Sequence, residues 1–234
     1  MTEMYRLGKY NEGDNMSDLI SDHYRMLLVM SRFGIALGFG DKSIGEVCRE
    51  NGVDTDTFLT VVNMLFDDGG VIEHPERSVS VGSLLSYLHS SHSYFLDFRL
   101  PEIRQKLTGI VGSGDDLSRA IIRYFDEYIA EVGKHMAYEE ETVFPYVRAL
   151  LNGKKPKNYS IEVFRRHHDQ VEARLTEFKQ IMIKYYPARS TNEINGVLFD
   201  IFNCEHDLAS HNDIEDRLFV PAVAALERKN GAKR

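Results

Sequence analysis

The sequence predicts an all-α protein, an antiparallel four-helix bundle preceded by a small helical domain. Three observations carry that expectation. Strand-like alternation of polar and apolar residues is almost absent from the 234 residues. Four long stretches in the last two thirds repeat apolar residues alternately three and four apart, the period of a helix that buries one face. Each gap between them holds a breaker: Gly112 with Gly114, Gly153 with Pro156, and Pro187. A hydrophobic fraction of 43% is enough for an ordinary core.

Along the chain, residues 16–37 read as one helix. Residues 43–68 read as two shorter helices around Gly52, with Ile44, Val47, Val53, Phe58, Val61 and Leu65 at the periodic positions. Gly69, Gly70 and Pro75 then interrupt the pattern, so 1–78 is expected to be a small acidic N-terminal domain and 79–234 the bundle. The bundle helices are expected over 83–111, 116–151, 159–186 and 191–228, and their short connections favour antiparallel neighbours.

Charge narrows the partners. Residues 1–78 hold 7 Lys+Arg against 14 Asp+Glu, whereas 79–234 hold 21 against 22, so most of the net charge of −8 lies in the N-terminal part. A polyanion is repelled there, which disfavours nucleic acid. No run of about 18 apolar residues appears and the N-terminus has no signal pattern, so no membrane association and a cytoplasmic location are expected. Cys48 and Cys204 have no metal-type or disulfide spacing, as befits a reducing compartment.

The periodic stripes of the bundle helices contain polar residues at their middles. The first runs Leu85, Leu88, His92, Leu96, Leu100; the second includes Val132, His135, Glu139, Val143; the third Phe164, His168, Val171, Leu175; the fourth Leu208, His211, Glu215, Leu218. Every helix thus sets one histidine in its apolar stripe, and two add a glutamate one turn later. Residues four apart lie roughly 40° apart around a helix, so each His–Glu pair can address one centre. Buried without partners, such groups would cost several kcal/mol each. The same rule prefers His168 to His167 and His92 to His89, and it sets His23, His74 and His206 aside. It also turns Glu140 off the stripe, so replacing that residue is expected to do little.

The segments HMAYEEETVFP from His135 and HNDIEDRLFVP from His211 repeat a histidine, a glutamate four later and a proline six beyond that. Imidazole and carboxylate without thiolate suit iron or manganese, whereas a structural zinc site takes four ligands and usually sulfur. Six ligands fit two metals, with Glu139 and Glu215 bridging them and solvent completing the shells. The pattern differs from the Glu-x-x-His form of ferritin-like bundles.

At these residues the chain resembles the hemerythrin-like cation-binding domains, and among them the family known as repair of iron centres proteins. HSYFLDFRLPEI from His92 is similar to that family's first-helix motif, HHDQVEARL to its third-helix motif with His168 as ligand, and the two His/Glu segments to its second and fourth. The resemblance implies two iron ions bridged by carboxylate and oxo groups and held by His92, His135, Glu139, His168, His211 and Glu215. It implies a small diatomic or oxygen-species ligand such as nitric oxide, damaged iron–sulfur proteins as partners, and a role in cluster repair under stress; a homodimer is compatible with it. The N-terminal segment RFGIALGFGDKSIGEVCRENGVDTDTFLTVVN resembles the family's small first domain, but Leu37 and Gly38 stand where the family has adjacent cysteines. Cys48 is the nearest thiol that could stand in for them.

Two other functions compete. A hemerythrin-like site can bind or sense dioxygen or nitric oxide without turnover. The two helices around Gly52 have the outline of a helix-turn-helix, but residues 41–70 hold two basic against seven acidic groups, and the helix that would read DNA contains Asp54 and Asp56 and no Lys or Arg before position 63, which speaks against a DNA regulator.

Overall fold

The computed structural model describes residues 9–66, 78–111, 115–154, 156, 158–167, 173–187 and 191–232. Helices account for its regular structure, as expected; among the described residues the one β-type pairing is an isolated bridge between Asn15 and Ser43. No described helix is long and apolar enough to cross a membrane.

The N-terminal helices are α1 (Met16–Asp22), α2 (Met26–Arg32), α3 (Ile44–Glu50) and α4 (Thr55–Phe66). The single helix expected over 16–37 is therefore two, and it ends early. His23 leaves the helical region at φ −144°, ψ 87°, and Gly34 turns the chain at φ 74°. Both residues at the break are engaged elsewhere: Asp22 accepts a 2.6 Å hydrogen bond from the Tyr10 hydroxyl, and the His23 ring meets Phe66 edge-on at 3.7 Å. Such tertiary contacts override a continuous apolar pattern. The pair around Gly52 forms as expected. Ser43 and Glu46 make a reciprocal capping box at the start of α3, Gly52 takes φ 66°, and Asp54 accepts from the Thr57 amide at 2.9 Å to open α4.

Further along come α5 (Val81–Ser93), α6 (Leu100–Val111), α7 (Asp116–Tyr138), α8 (Phe144–Leu151), α9 (Ile161–His167), α10 (Ala173–Tyr185), α11 (Thr191–Ile214) and α12 (Val220–Ala232). Three wider π segments join them: π1 (Tyr94–Arg99) between α5 and α6, π2 (Glu139–Val143) between α7 and α8, and π3 (Glu215–Phe219) between α11 and α12. Periodicity did not foresee these. Each closes with an amide donating five residues back: Leu100 to Phe95, Phe144 to Glu139, and Val220 to Glu215. The next residue is in each case a proline, Pro101, Pro145 or Pro221. Proline has no N–H and its ring crowds the carbonyl four residues back, so an ordinary α turn cannot form there and the wider one takes its place.

Packing groups the chain into two compact units: Met1–Ser90 with Arg148–Asn158 and Ile214–Arg234, and Ser91–Val147 with Tyr159–Asp213. In the first, Phe33 packs on Phe58 and Tyr87 at ring distances of 5.4 and 4.9 Å, and Asn230 donates to the Leu150 carbonyl at 2.8 Å. In the second, four helical runs share one apolar core that includes Ile103, Phe125, Val132, Phe178, Ile201 and Leu208. Its ends are tied by the Tyr186 hydroxyl donating to the Ile110 carbonyl at 2.9 Å, and by Arg99 paired with Asp200 at 3.0 Å.

Phe125 is fully buried between Phe178 and Tyr128, with ring distances of 5.4 and 6.0 Å. Phe125→Ala is expected to cost about 3–5 kcal/mol in urea denaturation of the metal-free protein, through lost burial plus the cavity left behind.

Candidate metal centre

Each polar residue singled out by the helical stripes, where described, lies at the inward side of its helix. His92 occupies the last turn of α5, His135 the last turn of α7, and Glu139 opens π2. His211 lies in the last turn of α11, and Glu215 opens π3 one turn later. Four of them, His92, Glu139, His211 and Glu215, are buried and bring one ligand atom each to within 4.8 Å of one another. His135 adjoins the group through Nε2, which lies 2.8 Å from Oε1 of Glu139. His168 and His74 lie outside the described residues, and so does the choice between His168 and His167. His89 and His206 are exposed.

Glu139 is the hub. His92 Nε2 stands 3.0 Å from its Oε2, with the carboxylate itself at 0% exposure. Neither Glu139 oxygen, nor His92 Nε2, makes a directed hydrogen bond among the described residues, although these atoms lie close together. Close approach without hydrogen-bond direction is what lone pairs aimed at a common point produce. Burial disfavours ionisation of Glu139, but its imidazole surroundings, His135 foremost, outweigh it and hold the carboxyl well below the usual carboxylate range. Two buried carboxyl groups with imidazoles and no thiolate form a nitrogen and oxygen donor set, which suits a borderline or hard divalent cation such as iron or manganese.

Aromatic rings wall the group. Phe144 stacks on His92 at 5.3 Å and 6° between planes, and Phe95 meets His211 edge-on at 5.9 Å. Both rings belong to turns widened by π segments, Phe95 inside π1 and Phe144 at the end of π2. Both rings are fully buried and constrain the imidazole planes they pack against.

One residue near the site falls outside the sequence reading. Glu140 does not point idly away: its Oε1 lies 2.8 Å from Nδ1 of His92. The helical-face rule, which turned Glu140 off the stripe, did not foresee this contact. The signal that could have found it is the run Glu139, Glu140, Glu141 just before Pro145, where the helix face is displaced by the π turn.

No curated protein matches the chain. A family model does: the hemerythrin HHE cation-binding domain matches residues 83–223, from the start of the first bundle helix past the last His–Glu pair. That span holds all six residues picked out by periodicity, and it covers more than half of the sequence. The buried His–Glu group and the matched span agree, and the chain belongs to the hemerythrin HHE cation-binding domain family.

Proposed function

We propose that the protein is a cytoplasmic non-haem di-iron protein that acts in the repair of iron–sulfur clusters damaged by nitrosative or oxidative stress. Two irons would be held by His92, His135, Glu139, His168, His211 and Glu215, the two glutamates serving both ions. The observation that supports a metal is the convergence of two buried carboxyls and two buried imidazoles, one ligand atom from each lying within 4.8 Å of the others, where burial of so many ionisable groups costs too much for a packing device. When bound, iron would supply redox chemistry toward nitric oxide or an oxygen species. The chain's part is to hold the ligands in place, to neutralise the cations through Glu139 and Glu215, and to keep water out with Phe95 and Phe144.

A second reading, reversible binding or sensing of dioxygen or nitric oxide, is favoured by the thiols. Leu37 and Gly38 replace the cysteine pair of the repair proteins, and both cysteines of the chain are buried. Burial pushes the Cys48 thiol up to about 11, which removes the thiolate that a stand-in would need at neutral pH.

Anaerobic loading with ferrous iron, followed by iron assay and optical spectroscopy, tests the metal. Two irons per chain are expected; zinc alone, with no uptake of iron, would sink the reading. The loaded protein is then added to an iron–sulfur enzyme inactivated by nitric oxide. Recovered enzyme activity supports repair, whereas no recovery combined with reversible uptake of nitric oxide or dioxygen selects the second reading.

A further inference from the structure

The imidazole of His92 is wedged between two successive carboxylates, one at each ring nitrogen. Nε2 faces Glu139 at 3.0 Å and Nδ1 faces Glu140 at 2.8 Å. A neutral imidazole has a single N–H, so it can donate to one of them only. The two contacts differ in kind. The Nδ1 contact with Glu140 has hydrogen-bond geometry, and the Nε2 contact with Glu139 does not. A carboxylate accepts and cannot donate, so the proton belongs on Nδ1 and the lone pair on Nε2.

The two glutamates also differ in setting. Glu139 is fully buried, whereas the Glu140 side chain is 29% exposed and keeps part of its hydration. The less confined carboxylate is therefore the one suited to hold a structural hydrogen bond, which leaves the buried one for the centre. Both sit in the opening turn of π2, whose closing residue Phe144 stacks on the same ring. A single widened turn thus grips His92 on its edge and on its face.

We infer that Glu140 is a positioning residue: it fixes His92 in the tautomer with its proton on Nδ1 and turns the Nε2 lone pair toward Glu139 and the centre. The inference rests on the reading of His92 as a metal ligand. A carboxylate behind a ligating histidine fixes ring orientation and raises the ligand's basicity, and removing such a partner typically lowers metal affinity about 10–100-fold.

The test compares wild type with Glu140→Ala and Glu140→Gln in two measurements. Nitrogen-15 spectra of the metal-free proteins read the tautomer: wild-type His92 should show a protonated Nδ1 and a lone-pair Nε2, and the alanine variant should lose that preference. Ferrous iron titrated anaerobically against a competing chelator should bind about 10–100-fold more weakly to the alanine variant. Glutamine, whose amide oxygen can accept the same N–H, should restore much of both. Equal melting of the three metal-free proteins would exclude a general folding defect, and a lower melt for the alanine variant alone would count against a purely positional role. An unchanged tautomer together with unchanged iron affinity in Glu140→Ala would overturn the inference. If wild type itself took up no ferrous iron, the metal reading would fall, and the spectra would still decide whether Glu140 sets the tautomer.

Discussion

Replacing Glu139 by alanine is expected to drop iron content far below two per chain and to weaken ferrous iron binding by more than the 10–100-fold typical of an outer-shell change. His92 approaches one of its oxygens at 3.0 Å and His135 the other at 2.8 Å, and its carboxyl is held well below the usual carboxylate range. Alanine removes the negative charge and both oxygens at once, and leaves Glu215 as the one carboxylate of the group of four described residues. Glu141, two residues on, is exposed, so Glu141→Ala should leave iron content unchanged. The expected order of loss is Glu139→Ala, then Glu140→Ala, then Glu141→Ala, read by iron assay on protein loaded anaerobically. Equal loss from the substitutions at 139 and 141 would mean that the widened turn presents a different face from the one described.

The buried His–Glu group was more legible in the sequence than the helices that hold it. A polar residue in an apolar stripe is conspicuous because burial makes it costly, so His92, Glu139, His211 and Glu215 stood out by spacing alone. The same rule could not foresee π1, π2 and π3, because a test for a period near 3.6 treats every turn as equal. What it had in hand was the punctuation, Pro101, Pro145 and Pro221, each two residues beyond a widened turn. Glu140 was missed for a related reason. Successive residues on a regular helix point about 100° apart, so a face rule that selects Glu139 must reject its neighbour, yet the ring of His92 lies between the two. The break at His23 left no local trace, since it depends on Tyr10 and Phe66, which are distant in sequence.

Metal removal is expected to destabilise the protein strongly at neutral pH and progressively less as the solution is acidified. Binding confined to the native state stabilises it by about 2.7 kcal/mol when free metal stands at a hundred times its dissociation constant. At about 2–4 °C per kcal/mol for a chain of this size, holo protein should melt about 5–11 °C above protein stripped with a chelator. The ligands must be neutral imidazole and ionised carboxylate, so protons displace the metal as pH falls through the ordinary imidazole range near 6.5. The carboxylate side has a different window. Glu139 has a folded-state value depressed below the ordinary 4.5, so the stability it contributes is present above that value and is lost only as pH falls through the lower, folded one. The holo melting temperature should therefore decline between pH 8 and 5 toward that of the stripped protein, while loss of the Glu139 contribution waits for stronger acid. Melting curves of both forms from pH 8 to pH 3 check the two windows separately. Coincident holo and stripped curves at pH 8 would mean that the buried histidines and glutamates are satisfied without a cation.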